Sequence, residues 1–258
     1  MTVENGKREI IPGIVSVSFR EKNPERIVRE SAQYGLKAVE WGSDVHAPAG
    51  DVKRLNEVAA LTREAGLITC SYGTYLHIGT CTQEELLLHI AAAKILGTNI
   101  LRLWAGDKDY EDYTPEEADA FIGECISCAR IAEKENVILC MECHIHTFTS
   151  RLEGALRLMR DISSDSFRMY WQPNQFRTAE ENLTYARDIA PYTHHIHVFN
   201  WDGAESFPLA GAKTLWKAYL NKFEGTHYAL LEFMPDGEEG TFERESRVLV
   251  NWTEELNK

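Results

Sequence analysis

The chain has 258 residues, 44% hydrophobic and 26% charged, which supplies an ample core and leaves no biased tract that would argue for disorder. Its 40 acidic residues against 27 basic ones give a formal net charge of −13, which repels a phosphate backbone and excludes nucleic acid as an expected partner. No run approaches the roughly 18 apolar residues of a membrane span, and the start MTVENGKREIIPG has no apolar secretory stretch, so no membrane partner and a cytoplasmic location are expected.

In chain order, short apolar and β-branched runs predict eight strands: 13–20 (GIVSVSFR), 36–42 (LKAVEWG), 67–73 (LITCSYG), 99–106 (NILRLWAG), 137–144 (VILCMECH), 167–173 (FRMYWQP), 194–200 (HHIHVFN) and 227–235 (HYALLEFMP). Helical spacing fills the intervals. Capping boxes, in which a Ser or Thr side chain and a Glu three residues on satisfy each other's free backbone donors, are expected at Thr82 with Glu85, Thr114 with Glu117, Ser150 with Glu153 and Thr178 with Glu181. Gly35, Gly66, Gly97 and Gly225 suit the left-handed position just past a helix end.

Strand and helix alternate in units of about 30 residues with no linker-like break, which predicts parallel βαβ construction in one domain over 1–258. A doubly wound sheet is the competing architecture, but no G-x-G-x-x-G follows the first strand and no P-loop occurs. The count favours a (β/α)8 barrel.

In such a barrel the C-terminal strand ends form the active site. Nearly every predicted strand ends in a polar group there: Arg20, Glu40, Tyr72 with Tyr75 and His77, Arg102 with Trp104, Glu142 with His144, Gln172 with Asn174, His197 with Asn200 and Asp202, and Glu232. The stretch CMECHIH (140–146) holds two thiols, a carboxylate and two imidazoles. Strand alternation turns Cys140, Glu142 and His144 one way and Cys143 the other. A four-cysteine zinc site joining Cys125 and Cys128 to Cys140 and Cys143 therefore fails, as does a Cys143–His144 nucleophile pair. The six cysteines read as reduced thiols packed in the wall.

Glu142 admits two readings, a buried ion pair with Arg102 or a ligand. Glu232 stands in LLEFMPDG with apolar residues on both sides, an expensive place for an unpartnered charge. Two such carboxylates plus His197 call for a cation, and oxygen and imidazole donors suit Mn, Mg, Co or Zn as one divalent ion.

With these residues in this order, the chain resembles the xylose isomerase-like TIM barrels, a superfamily of sugar phosphate isomerase/epimerase proteins, and within it the D-tagatose 3-epimerase-like branch. The likeness runs from the first strand to LLEFMPDG. It implies one metal held by Glu142, by the strand 6 position, by His197 and by Glu232, with the two glutamates exchanging protons with the substrate. The strand 6 motif departs. Where the branch has D-x-x-H, this chain has Gln172-Pro173-Asn174-Gln175, and Asn200 stands where the strand 7 motif often ends in Asp. Gln172 in place of an acid removes one negative charge from the ligand set, from which weaker metal retention and a more electrophilic metal are expected.

The resemblance further implies a metal-dependent sugar isomerase or epimerase that moves a proton beside a carbonyl through a metal-stabilised enediolate, with Glu142 and Glu232 as base and acid on opposite faces. A lyase, dehydratase or deglycosylating enzyme on the same scaffold would use the same abstraction, and a non-catalytic sugar-binding barrel is the third reading. The partner is then a small carbohydrate or polyol, and a homo-oligomer is implied by the family alone. Arg102 reads as a substrate anchor or an ion-pair partner of Glu142, and His144 as a proton shuttle, a donor to substrate or a satisfied mouth histidine. Trp104, Asn174, Asn200 and Asp202 complete the expected substrate-binding set. Trp41, Trp104 and Phe199 offer flat faces to a sugar, though for each of them core packing is the better single reading. Glu40, His46, His77 and His195 rank below all of these.

Overall fold

The computed structural model describes residues 8–236 and 240–258. The start at 1–7, and the Gly237 that ends LLEFMPDG, lie outside the described residues. Among the described residues ten strands and eight α-helices form in the order β1 (Glu9–Val15), α1 (Pro24–Gln33), β2 (Ala38–Gly42), α2 (Val52–Glu64), β3 (Ile68–Ile78), α3 (Gln83–Leu96), β4 (Ile100–Ala105), α4 (Pro115–Glu135), β5 (Ile138–Glu142), α5 (Leu152–Ile162), β6 (Phe167–Trp171), α6 (Ala179–Ile189), β7 (Thr193–Val198), β8 (Trp201–Asp202), β9 (Glu205–Ser206), α7 (Lys213–Leu220), β10 (Thr226–Leu231) and α8 (Thr241–Leu256). Eight of the strands close a parallel barrel in the order β1-β10-β7-β6-β5-β4-β3-β2, and β8 and β9 form a separate antiparallel hairpin. This is the (β/α)8 architecture that the alternation predicts.

Local chemistry sets most of the boundaries. Thr82, Thr114 and Thr178 each close a full capping box with the Glu three residues on. The box expected at Ser150 does not form: Arg151 caps α5 without a side-chain hydrogen bond, and the buried Ser150 hydroxyl makes none. Gly97 ends α3 at φ 85°, a left-handed conformation that costs a Cβ-bearing residue about 1 kcal/mol or more. Gly35, Gly66 and Gly225 share positive φ. Cys125 and Cys128 lie within α4, and all six cysteines are free thiols.

Two barrel strands differ most from the sequence reading, while those expected at 137–144, 194–200 and 227–235 end earlier than predicted, and the β8–β9 hairpin was not predicted. β1 begins earlier and ends at Val15, where the chain turns into a short 3-10 helix over Ser16–Phe19. The barrel runs through Pro12-Gly13, with Pro12 beside Ala229 and Gly13 beside both Leu230 and Ala38. A Cβ on Gly13 would stand 2.5 Å from Leu230 Cδ2 and 2.7 Å from Ala38 O, so close packing of three strands requires glycine here. β3 runs on to Ile78 because His77 pairs with Trp104 after a register shift.

Side chains from alternate positions fill the barrel. The lower and middle lumen is largely apolar, with Ala38, Cys70, Cys140, Tyr170 and Leu230 packed with Val15 and Val17 against Ile100, Ile138 and Tyr228, and with His195 set between Tyr170 and Tyr228. The larger core lies between strands and helices. Above Tyr170 the lumen changes to Glu40, Arg102, Glu142, Gln172, His197 and Glu232, all buried. Among the described residues no helix is long and apolar enough to cross a membrane.

Candidate metal centre and active site

Parity along each strand delivers this polar layer. Glu142 ends β5 one alternation above Cys140, His197 lies on β7 one above His195, and Glu232 follows β10 one above Leu230. Gln172 directly follows β6, and its Oε1 stands 3.0 Å from His197 Nδ1. The same nitrogen is 3.4 Å from Glu142 Oε1 and 3.3 Å from Glu232 Oε2. Four donors from four strands thus converge around one point. Donor atoms of Glu142, His197 and Glu232 all lie within 4.8 Å of one another, the one group of three such side chains found among the described residues.

This donor set fits a divalent ion. Neighbouring ligands roughly 2.1 Å from an octahedral cation stand about 3 Å apart, close to the separations around His197 Nδ1. Glu40, Glu142 and Glu232 carry three negative charges against the single positive charge of Arg102, so with neutral His197 the layer is left at −2, which a divalent ion cancels. His197 is wholly buried, and its Nε2 makes no hydrogen bond.

Arg102 organises the carboxylates. Its Nη1 donates to Glu142 Oε2 at 2.5 Å and its Nε to Glu40 Oε1 at 2.9 Å. Trp104 Nε1 also donates to Glu142 Oε2, at 2.6 Å. Burial would raise the pKa of both glutamates, but the Arg102 charge and the contact with His197 outweigh it and hold both carboxyls well below the usual range. Burial likewise opposes charge on His197, and the carboxylates of Glu232, Glu142 and Glu40 reverse that, raising its pKa well above that of a free histidine. Without a metal, a proton on the imidazole takes the place of the cation.

Above the layer opens a cavity of about 370 Å³ lined by Arg20, Tyr75, Arg102, Trp104, Glu142, His144, Gln172, Asn174, Phe199, Trp201, Glu232 and Phe233 among others. His144 hydrogen-bonds through Nδ1 with the Ile145 carbonyl at 2.7 Å, which frees Nε2, and its ring lies 5.2 Å from that of Trp104. Asn174 lines the wall, with its side-chain oxygen accepting from Phe176 N.

Of the expected substrate-binding residues, Arg102, Trp104, His144 and Asn174 line this cavity, and Asn200 and Asp202 do not. The regular alternation of β7 ends at Val198 and the chain enters the β8–β9 hairpin. Asn200 Nδ2 there holds the Pro208 carbonyl at 2.8 Å, Asp202 is exposed, and both face a neighbouring cleft. Trp201 turns into the cavity in their place. Trp41 is core, its Nε1 donating to Thr62 Oγ1 at 3.0 Å, and His195 lies below His197 with Nε2 on the Cys70 carbonyl. His46 is buried against Ser16 and Lys22, and His77 bonds the Gly106 carbonyl.

Glu40, which ranks low in the sequence reading, lies within this polar layer, bonded to Ser71 and Arg102. A charge inside the apolar run AVEWG carries the same signal that singled out Glu232. Phe233, beside Glu232, escapes sequence detection because its placement rests on a left-handed backbone at φ 48°, with its N–H donating to Ser18 Oγ at 2.9 Å.

Residues 28–233 match the family model described as xylose isomerase-like TIM barrel. A curated relative, the 3-dehydroshikimate dehydratase of Bacillus anthracis, is 20% identical over 195 residues, 67% of this chain and 68% of that protein. The crystal structure of the probable 3-DHS dehydratase involved in petrobactin synthesis from Bacillus anthracis superposes with a TM-score of 0.79 at 16% identity, covering 93% of this chain and 99% of that one. The D-psicose 3-epimerase of Clostridium cellulolyticum H10, solved with D-tagatose, gives a TM-score of 0.69 at 12% identity, with 96% and 99% covered. At these identities the structural likeness establishes the fold.

Proposed function

We propose, since the chain belongs to the xylose isomerase-like TIM barrel family, that it is a divalent-metal-dependent isomerase or epimerase of a small carbohydrate or polyol, with the metal held by Glu142, Gln172, His197 and Glu232. The observation that carries this reading is the convergence of Gln172 Oε1, Glu142 Oε1 and Glu232 Oε2 on His197 Nδ1 in the floor of a cavity. A bound divalent ion supplies Lewis acidity, which lowers the pKa of a C–H between a carbonyl and a hydroxyl.

The two carboxylates have unequal surroundings. Glu142 Oε2 already accepts from Arg102 and Trp104, which fixes its orientation and lowers its basicity. Glu232 follows the end of β10 at the cavity floor and is assigned as the base that removes the proton. Glu142 orients the site and, in an epimerisation, faces the substrate from the opposite wall. Trp104 and Phe199 cover the apolar face of the substrate and exclude water, and His144 Nε2 is placed to exchange a proton with a substrate oxygen.

Dehydration is the second reading, favoured by the named dehydratase relative and by the single less encumbered carboxylate. Both readings need Glu232. Incubation of the Mn²⁺-loaded protein with candidate ketoses, aldoses and cyclic polyol ketones in D₂O, followed by NMR, separates them. Exchange of carbon-bound hydrogen without loss of water supports isomerase or epimerase chemistry, and formation of an unsaturated product supports dehydration. Glu232→Gln is expected to slow either by about 10²- to 10⁴-fold; an unchanged rate overturns the assignment of the base.

A further inference from the structure

We infer that Glu40 is a positioning residue for His197, holding the imidazole with its proton on Nε2 so that the Nδ1 lone pair is free for the metal. The inference rests on the metal site of the preceding subsection. Neutral imidazole carries one N–H, and a ring that gives Nδ1 to a cation must keep its proton on Nε2. A buried N–H without an acceptor costs about 1–3 kcal/mol, so the tautomer is governed by what faces Nε2. That group is Glu40 Oε1 at 3.5 Å, just beyond a formed hydrogen bond. His197 Nε2 makes no hydrogen bond in this arrangement. Release of Nδ1 from its proton-mediated contact with Gln172 leaves Nε2–H and Glu40 Oε1 only a small movement from pairing.

The Glu40 carboxylate is built into place from several sides. It is fully buried, its Oε2 accepts from Ser71 Oγ at 2.8 Å and its Oε1 from Arg102 Nε at 2.9 Å. The register of β2 against β3 shifts between Val39 and Glu40. Beyond it Glu40 pairs with Ser71 and Gly42 with Gly73, and a Cβ on Gly73 would meet Glu40 Oε1 at 2.6 Å and Arg102 Nη2 at 2.9 Å. β3 therefore lacks a side chain where the carboxylate and guanidinium meet. Neutralising Arg102 does not account for this arrangement, since Glu142 already pairs with Arg102. The second carboxylate is aligned instead with the far nitrogen of the imidazole. Such outer partners of a ligating histidine typically matter 10- to 100-fold in metal affinity.

Two measurements on the whole 258-residue chain test the inference. Calorimetric titration with Mn²⁺ is expected to show Glu40→Gln binding 10- to 100-fold more weakly than wild type, with the metal-free variant still folded by circular dichroism. A merely structural role would lower the metal-free melting temperature and leave the Mn²⁺ affinity alone, and that result overturns the inference. Should Glu40→Gln fail to fold, long-range ¹H–¹⁵N correlation on Zn²⁺-loaded, ¹⁵N-histidine wild-type protein decides the matter. A proton on Nε2 of His197 supports the inference and one on Nδ1 overturns it. Wild-type protein that takes up no metal overturns the metal site itself and this inference with it, whereas unchanged Mn²⁺ affinity in Glu40→Gln beside loss of binding in His197→Ala overturns this inference alone.

Discussion

The lower and upper halves of the barrel lumen are built by the same strands, often by residues two apart, and they are opposite in character. Cys140 and Leu230 sit in an apolar plug, while Glu142 and Glu232, one alternation higher, sit in a layer of three carboxylates, a guanidinium and an imidazole. Alternation decides only that a side chain faces inward; height along the strand decides whether it closes the barrel or does chemistry. A layer that buries several ionised groups is costly beside an apolar plug of similar volume. The fold therefore carries the upper layer as a burden that packing below must offset, which is what a site kept for function rather than stability requires.

The largest expected effect tests that division directly. Arg102→Met leaves Glu40 and Glu142 buried without their common cation and is expected to destabilise the metal-free protein by about 3–5 kcal/mol. Leu230→Ala, in the plug, is expected to cost about 2–5 kcal/mol through the cavity it leaves, while the folded variant keeps wild-type Mn²⁺ affinity. Guanidinium denaturation and metal calorimetry on both variants give the comparison. It breaks if Leu230→Ala loses metal in step with stability, because the two layers would then be one unit.

A smaller effect sharpens what the upper layer is for. Gln172 gives the site a neutral oxygen, and Gln172→Asp adds a negative charge to the ligand set around His197 Nδ1. Divalent affinity is expected to rise by about tenfold, in line with the dependence of such sites on ligand charge. Unchanged affinity by calorimetry would remove Gln172 from the ligand set and leave the three side chains of Glu142, His197 and Glu232.

How much of this was legible in the sequence follows the same division. Periodicity gave the strands whose signal is local, and the Thr-x-x-Glu boxes marked three helix starts because a cap is a four-residue interaction. Ser150 failed because a matching pair in sequence does not ensure that the chain turns into the helix at that residue. The first strand was set at 13–20 and not at 9–15 because the close approach of Leu230 and Ala38 that demands glycine at position 13 is tertiary. In the site, Glu142, Gln172, His197 and Glu232 were readable from strand parity and family likeness together, and the structure brings all four to one point. Asn200 and Asp202 line a neighbouring cleft and not the cavity because parity has no meaning past Val198, where the strand gives way to a hairpin. Glu40 was ranked low although its apolar neighbours carried the warning, since its partners Ser71, Arg102 and His197 come from three other strands.

The bottom of the barrel offers the smallest and sharpest contrast. His194 lies at the entry to β7, where burial, reinforced by the charges of His195, Arg168 and His227, lowers its pKa to about 4 from the 6.5 of a free histidine. Its neighbour His195 is shifted in the same direction, burial again leading. A histidine with a depressed pKa is neutral when folded and takes up a proton on unfolding, so its contribution is complete above pH 6.5 and is lost as the pH falls toward 4. The Glu40 and Glu142 carboxyls are also depressed, but their contributions hold down to about pH 4.5, where a free glutamate begins to titrate. Between pH 7 and 5 the floor should therefore weaken while the carboxylates of the upper layer keep their charge. In metal-free protein, wild type is expected to lose about 1 kcal/mol more stability over that interval than His194→Gln, a figure already reduced for the partial exposure of the ring. The difference between the two denaturation series removes His197, whose raised pKa acts in the opposite sense in both proteins. Parallel slopes would mean that acid sensitivity does not originate at the floor.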